Sequence, residues 1–472
     1  MVKTHKRNTK DGGKDLLNLK LKRVQSRFFD QRLLKRAIAA LLLFFLLSSS
    51  DQSYSLPVIP PNSIILDDEV DLGFKDFFDT LLKVTGKKQR TFTPKTYLVA
   101  HSSVNAASGT GGQFIIYSGL FRLCDSVEEF FGVLAHELAH GKGLHSVQAS
   151  VGSEKAFLTA AVAFALGGVA ALAAKDAAPL MAGVAGGQNA YVGSTMRTMQ
   201  NIEKAADAEA VKILAKASIP ATGLMTFLKK IQKAYGSPDL NPYFLDHPLT
   251  EDRIQAIQHD AEKTATLHWS KKEYFQKTFD RLRAKILAFT MEPKHVLTMF
   301  SGQTMNDSYA RAVALGRQSH TQAALNEIEH ILSKEPRNPY VLELKSQLLM
   351  DAGRKDDSIK ILSEAVTIKP QATYLKMSLA HLLVEQRSHV AEAIRHLNDI
   401  LIKNRDNDFA WHLLGKAYMI NGQEAHALWA NAEYDALRGD KNAAKAKLQH
   451  SRAKAGNNKV LIQKLSDLEK SL

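Results

Sequence analysis

Apolar residues along the chain fall into distinct textures, and each texture predicts a different element. An uncharged run from Ala37 to Leu47 follows a basic stretch and leads into Ser48-Ser49-Ser50. Gln113 to Ser118 alternates weakly and is rich in β-branched side chains, which predicts a strand, read here as an edge strand. Phe130, Val133, Leu134 and Leu138 then recur at the spacing of one helix face. Ahead of them, Asp125-Ser126-Val127-Glu128-Glu129 offers a capping oxygen and an acidic first turn, and Gly141 stands where a helix-ending glycine belongs. Phe157 to Ala174 is an apolar stretch of Ala, Val, Leu, Gly and Phe with one Thr.

Beyond about residue 300 the texture becomes short amphipathic helices with a period near 34. Trp411-x-x-Leu414-Gly415-x-x-Tyr418, followed by Ala427, is the sharpest instance. Ala324, Ile328, Ile331 and Pro336 align in the same frame with Ser358, Leu362, Ala365 and Pro370. One residue is inserted before Ala393 and Leu397, and a weaker unit carries Ala444 and Leu448. This is the signature of tetratricopeptide repeats. A single helix pair cannot bury its apolar face alone, so the units are expected to stack into a solenoid whose concave surface binds a protein.

Charge qualifies the picture at the N-terminus. Residues 1–36 hold twelve Lys/Arg against three Asp, so nine of the formal +14 charges lie there. A basic segment, then an apolar core, then small polar residues is the order of an export signal, expected over residues 1–50 with cleavage near Ser50. An uncleaved anchor is the other reading, but the apolar core is short of the roughly 20 residues a span requires. Without the signal the chain is only about +5, which removes most of the support for nucleic-acid binding. Cys124 is the single cysteine, so no internal disulfide forms, and its apolar setting predicts a buried thiol. The stretch 157–174 reads as a helix that packs over a cleft or touches a membrane surface peripherally. Gly183, Gly186, Gly187 and Gly193 then suggest a hinge.

The chemistry lies in His136-Glu137-Leu138-Ala139-His140. Two histidines four positions apart share one face of a helix and can reach a single tetrahedral Zn²⁺, while the adjacent glutamate meets a metal-bound water as general base. A catalytic zinc needs three protein ligands and one open position. The extended form HExxHxxGxxH fails, because Ser146 stands at the third-ligand position and His145 one residue before it. A better third ligand is Glu203, in the helix-forming run Glu203-Lys204-Ala205-Ala206-Asp207-Ala208-Glu209-Ala210. An acidic pair in such a run is by itself a solvated face. Beside the histidine motif, Glu203 completes a zinc site and Asp207, on the same face, hydrogen-bonds a ligand histidine.

Asn105-Ala106, a glycine-rich hairpin from Gly109 to Gly112, Phe114 to Leu120, His136 to His140, Glu203 with Asp207, and His247-Pro248-Leu249-Thr250 with Arg253-Ile254 together carry a resemblance. From about Asn105 to Ile257 the chain resembles the M48 group of zinc metallopeptidases. The resemblance implies one Zn²⁺ per chain held by His136, His140 and Glu203, with Glu137 as the base. It attaches a proton-donor label to Asp207; an orienting role is the physical reading, since a carboxylate on a ligand histidine is ionised. It implies that His247 approaches the metal and either holds the site closed or stabilises the oxyanion. From the residues alone, a histidine before proline is an ordinary capping or surface residue. Substrate contacts are implied at Asn105 and Arg253, with a structural salt bridge as the other reading of Arg253.

The expected fold is mainly α: a gluzincin-type metallopeptidase domain, helical with a small β-sheet, followed by an α-solenoid of tetratricopeptide helix pairs. The expected division is a signal (1–50), the peptidase domain (51–265), connecting helices (266–299) and repeats (300–472). This layout resembles the periplasmic proteases of Gram-negative bacteria that assist outer-membrane β-barrel assembly and degrade misfolded or stalled molecules. By that analogy the partners are unfolded or stalled proteins and the β-barrel assembly machinery, met through the repeats. Two other readings fit the same residues: a chaperone or scaffold with a latent zinc site, and a membrane-embedded M48 quality-control protease that uses 157–174 as a span.

Overall fold

The computed structural model describes residues 64–85, 94–109, 112–142, 198–235, 247, 249 and 251–472. The expected signal (1–50), the apolar stretch 157–174 and the glycine hinge 183–193 lie outside the described residues. Among those described, no helix is long and apolar enough to cross a membrane.

Helix α1 (Asp68–Lys83) starts where the Asp67 side chain accepts a hydrogen bond from Val70 N at 2.9 Å. Three acids, Asp68, Glu69 and Asp71, occupy its first turn, where the helix dipole favours negative charge. Its buried face carries Val70, Phe74, Phe77, Phe78 and Leu81 at helical spacing. A small sheet follows: β1 (Ile64–Ile65), β2 (Lys95–Val99), β3 (Ala106–Ser108) and β4 (Gln113–Tyr117), in the order β1-β2-β4-β3. β2 and β4 run parallel with Lys95 opposite Gln113, and β3 pairs antiparallel with β4 through Ala106 and Ile116. The strand expected at 113–118 is therefore present, but it is internal rather than an edge. Phe114, Ile115 and Ile116 are all buried, so the run is covered on both faces and is paired on both sides. The edges of the described sheet are β1 and β3.

After a short turn of helix, α2 (Leu120–Leu123), comes α3 (Val127–Lys142), which carries the histidine motif. Aromatic rings surround it. Phe77 meets Phe130 and Phe131 edge-on at centroid distances of 5.2 and 5.3 Å, and Phe131 meets Trp269 at 5.2 Å. Next come a helix over residues 198–216 (α4) and α5 (Thr222–Tyr235), which crosses α3 closely. Glycines permit that approach. A Cβ on Gly132 would stand 2.7 Å from Leu224 Cα, and one on Gly223 would stand 2.3 Å from the Glu128 carbonyl carbon.

Helices α6 (Glu251–Glu262), α7 (Lys272–Thr290) and α8 (Pro293–Met299) lead into helix pairs. These are α9 (Met305–Arg317) with α10 (Thr321–Leu332), α11 (Pro339–Asp351) with α12 (Lys355–Ile368), and α13 (Thr373–Glu385) with α14 (Val390–Lys403). They continue as α15 (Asp408–Ile420) with α16 (Glu424–Leu437) and α17 (Lys441–Lys454) with α18 (Lys459–Ser471). The pairing bears out the tetratricopeptide period: Trp411, Leu414, Gly415 and Tyr418 are buried on α15, and Ala427 is buried on α16. One apolar cluster runs without a break from Val70 through α7 to Leu349, and a second extends from Tyr340 to Leu468. The first repeats thus share their core with the histidine-bearing half.

Buried charges also meet at that junction. Lys285 on α7 pairs with Asp67 at 2.6 Å and Glu69 at 3.0 Å, and Arg281 reaches Glu69 at 3.0 Å while its guanidinium lies 3.9 Å from the Tyr309 ring centroid. Burial alone would raise the Glu69 pKa, yet the charges of Lys285 and Arg281 hold it down to about 2. A carboxylate depressed in the folded state contributes stability above its ordinary pKa of 4.5 and loses that contribution as pH falls toward about 2. The melting temperature should therefore fall through that window, and Glu69→Gln should flatten the fall while lowering stability at neutral pH. Equal slopes in the two proteins would remove Glu69 from the account. At the α3–α5 crossing, Gly132→Ala should cost about 1–3 kcal/mol in urea unfolding, because the added methyl meets backbone rather than a movable side chain.

Candidate metal centre

α3 presents His136, Glu137 and His140 from a helix packed on nearly every side. Residues four apart on a helix stack over one another, and here the two Nε2 atoms come within 3.0 Å. α4 supplies Glu203, whose Oε1 lies 3.1 Å from His140 Nε2 and whose Oε2 lies 3.3 Å from His136 Nε2. His247 enters from ahead of α6, with Nδ1 3.3 Å from His136 Nε2 and 3.2 Å from both Glu203 oxygens. One donor atom from each of these four residues lies within 4.8 Å of the others.

The donor set fits a divalent transition ion. Ligand atoms about 2.0–2.1 Å from a tetrahedral zinc stand about 3.3 Å from each other, close to the separations found here, and two or three imidazoles with one carboxylate are zinc donors. The resemblance-based ligands His136, His140 and Glu203 are thus brought together, and His247 joins them at a fourth corner.

Behind the donors lies a charged support. Asp207 Oδ1 is 2.9 Å from His136 Nδ1 and so fixes which way that ring faces. Arg253 grips Asp207 through Nε at 2.7 Å and Nη2 at 3.0 Å, and its Nη1 lies 3.0 Å from Glu203 Oε2. The Arg253 side chain is 0% exposed, so it lies behind the donors rather than in a substrate groove. The expected substrate contact gives way to the salt bridge: two buried carboxylates need a cation beside them. Asn105 is buried where the chain enters β3, its carbonyl accepting from Tyr117 N at 3.1 Å, and it is not among the four donors.

Electrostatics sort the groups by task. Burial would make His136 shed its proton, but hydrogen bonds to Asp207 and Glu203 outweigh that and raise its pKa to about 10. Burial drives His140 down to about 3 and keeps it neutral. Glu203 is pushed up by burial but is held well below the usual carboxylate range by the His247 charge and by hydrogen bonds to three histidines. Asp207, likewise opposed by burial, is kept low by Arg253 and His136, which suits an orienting anion and not an acid. Glu137 differs: burial raises its proton affinity, against the charges of His247 and His136. Its Oε1 is 3.4 Å from His247 Nε2.

Two features escape the sequence pattern. Ser108, on the β3 edge, lies beside the Glu137 carboxylate; Ala-Ala-Ser has no strand periodicity, and only the glycines after it mark the turn. The contact of His247 with His136 and Glu137 spans more than a hundred residues, and that with Glu203 spans 44.

Arg253→Leu should cost about 3–5 kcal/mol, since it leaves Asp207 and Glu203 buried beside no guanidinium. Urea unfolding measures this; a wild-type midpoint would mean that the histidines alone balance the two carboxylates.

Residues 75–261 match the family described as Peptidase family M48. The beta-barrel assembly-enhancing protease of Escherichia coli strain K12 is 25% identical over 356 residues, covering 73% of this chain and 71% of its own. The protein of that name from Yersinia pestis is 26% identical over 360 residues with the same shares. A putative one from Vibrio cholerae is 27% identical over 371 residues, covering 75% and 74%. The four-donor cluster, the helix pairs and these likenesses agree: the chain is a metalloprotease whose residues 75–261 match peptidase family M48 and which joins this region to tetratricopeptide-type helical repeats.

Proposed function

We propose that this protein is a zinc-dependent endopeptidase of the bacterial periplasm that acts in outer-membrane protein assembly, degrading misfolded or stalled molecules met through its repeats. The observation that carries the chemistry is the convergence of His136, His140 and Glu203 at ligand spacing with Glu137 beside them. The biological setting rests on relatives named beta-barrel assembly-enhancing proteases. Within this reading the peptidase unit occupies 51–265, helices over 266–299 connect it to the repeats, and residues 300–472 receive a client or the assembly machinery.

His136, His140 and Glu203 hold one Zn²⁺ per chain, and Asp207 with Arg253 keeps His136 and Glu203 aimed. When bound, the zinc supplies a Lewis acid that polarises the scissile carbonyl and acidifies a water. Glu137 takes that water's proton and delivers it to the leaving amine. Its buried setting, which raises its proton affinity, suits it to both halves of the transfer. β3 pairs with β4 alone among the described strands, and its other side is the one assigned to an extended substrate backbone. Such pairing reads backbone more than side chains, as a protease for unfolded chains requires.

His247 stands at the fourth corner with Nε2 3.4 Å from Glu137, an arrangement that supports a site held closed by this residue. That observation favours a second reading, a chaperone-like protein whose site is latent until a client moves His247. Glu137→Gln separates the two. It should keep stoichiometric zinc, lose at least about a thousandfold in cleavage of an unfolded protein such as casein, and fail to rescue outer-membrane assembly defects. Full rescue by that variant would establish the chaperone reading, and undiminished casein cleavage would remove Glu137 as the base. His247→Ala should keep its zinc and cleave faster at rest; slower cleavage would assign His247 to oxyanion stabilisation instead.

A further inference from the structure

The first helices of the repeat pairs start with a side chain that caps them, with one exception. Thr304 caps α9, Asn338 caps α11, Asn407 caps α15 and Asp440 caps α17, each accepting a backbone N–H of its own helix. At the matching position before α13 stands Ala372, which has no group to cap with. The open N–H groups of α13 nevertheless have a partner. Asp68 Oδ1 accepts from Thr373 N at 2.8 Å, and Oδ2 accepts from Tyr374 N at 2.7 Å and Leu375 N at 2.9 Å. Asp68 is the first residue of α1, in the peptidase half, about three hundred residues earlier.

We propose that this gap in the repeat is a docking site: Asp68 caps α13 in trans and thereby fixes the distal repeats, from α13 onward, against the peptidase domain. A carboxylate on three successive helix-start N–H groups is a charge-assisted contact of the strong kind, and it has directional geometry. Its location gives it leverage. The first apolar cluster, shared with the peptidase half, ends in α11, while the second runs from α11 and α12 through α13 to α18. Asp68 therefore ties the second cluster to the first helix of the peptidase half. α1 in turn lies under the metal-site helix through Phe77 against Phe130 and Phe131. Asp67 and Glu69 on either side pair with Lys285 and Arg281, whereas the Asp68 carboxylate meets the helix-start N–H groups of α13.

The test uses the full chain with spin labels at Leu72→Cys and Ile402→Cys, exposed sites on α1 and α14; Cys124 is buried and stays unlabelled. The parent should give one narrow distance. Asp68→Ala should broaden it, and should speed hydrogen exchange at the Thr373, Tyr374 and Leu375 amides by about tenfold, the loss of a helix cap. Adding Ala372→Ser to Asp68→Ala supplies a local cap, so those amides should regain protection while the distance stays broad. A narrow distance in Asp68→Ala, or its return in the double variant, would overturn the docking role and leave Asp68 as a cap alone. Should Asp68→Ala fail to fold, Asp68→Asn, which keeps an accepting oxygen but no charge, should give intermediate exchange and a partly broadened distance; parent values would count against the proposal.

Discussion

The rest of the structure follows from one electrostatic constraint, the burial of ionisable donors in an aromatic-lined interior. Glu137, Glu203, Asp207 and Arg253 are buried together with His136 and His247. Protons on His136 and His247 balance these carboxylates in the metal-free site. Imidazoles that give up their protons to bind a metal would leave three carboxylates against one guanidinium, two negative charges where unbalanced charge costs several kcal/mol. A single divalent cation at the four-donor corner balances that sum. Arg253 has a complementary part: it neutralises the far side of the same carboxylates, so that Glu203 and Asp207 stay ionised and point forward. The phenylalanines packed around α3, and the glycines that bring α5 against it, hold these groups to ångström tolerances.

What could be read along the chain depends on how far apart the cooperating residues lie. His136, Glu137 and His140 were legible because helix geometry puts residues four apart side by side without any tertiary knowledge. Glu203 and Asp207 were legible by the same spacing, but only next to a motif that lacked a third ligand. His247 had no local signal; only resemblance pointed to it, and only the fold brings it against Glu203 and Glu137. The strand at Gln113–Tyr117 shows the limit in another form. Its type was legible from β-branched residues, whereas its place between β2 and β4 depends on which strands return to it. Along the chain Arg253 fits both a substrate contact and a salt bridge, and the fold adds the buried ion pairs to Asp207 and Glu203. The repeats were legible through their period, yet Ala372 at a capping position carries no message until Asp68 is seen to fill it.

The two halves are not beads on a linker. The apolar cluster that begins on α1 continues through α7 into the first two helix pairs, and Lys285 and Arg281 sit at its polar margin beside Tyr309 and Tyr340. Force applied to the proximal repeats is therefore borne by side chains that also back the metal-site helix. The distal repeats belong to a second cluster that begins on α11, and they reach α1 through Asp68. The proximal pairs thus complete the core of the histidine-bearing half, and the distal pairs have a core of their own.

On the proposed reading, His247 occupies two essential positions with one ring. Nδ1 lies at the corner that a nucleophilic water needs, and Nε2 lies 3.4 Å from the carboxylate that must take that water's proton. A residue blocking only the corner would leave the base free, and one touching only the base would leave the corner open. Because a single imidazole does both, its withdrawal opens the coordination position and frees the base together. A site opened in this way would offer the fourth corner and the Glu137 base together. A protease that meets unfolded chains among intact neighbours gains from that concerted opening, since partial fluctuations of the site produce no attack.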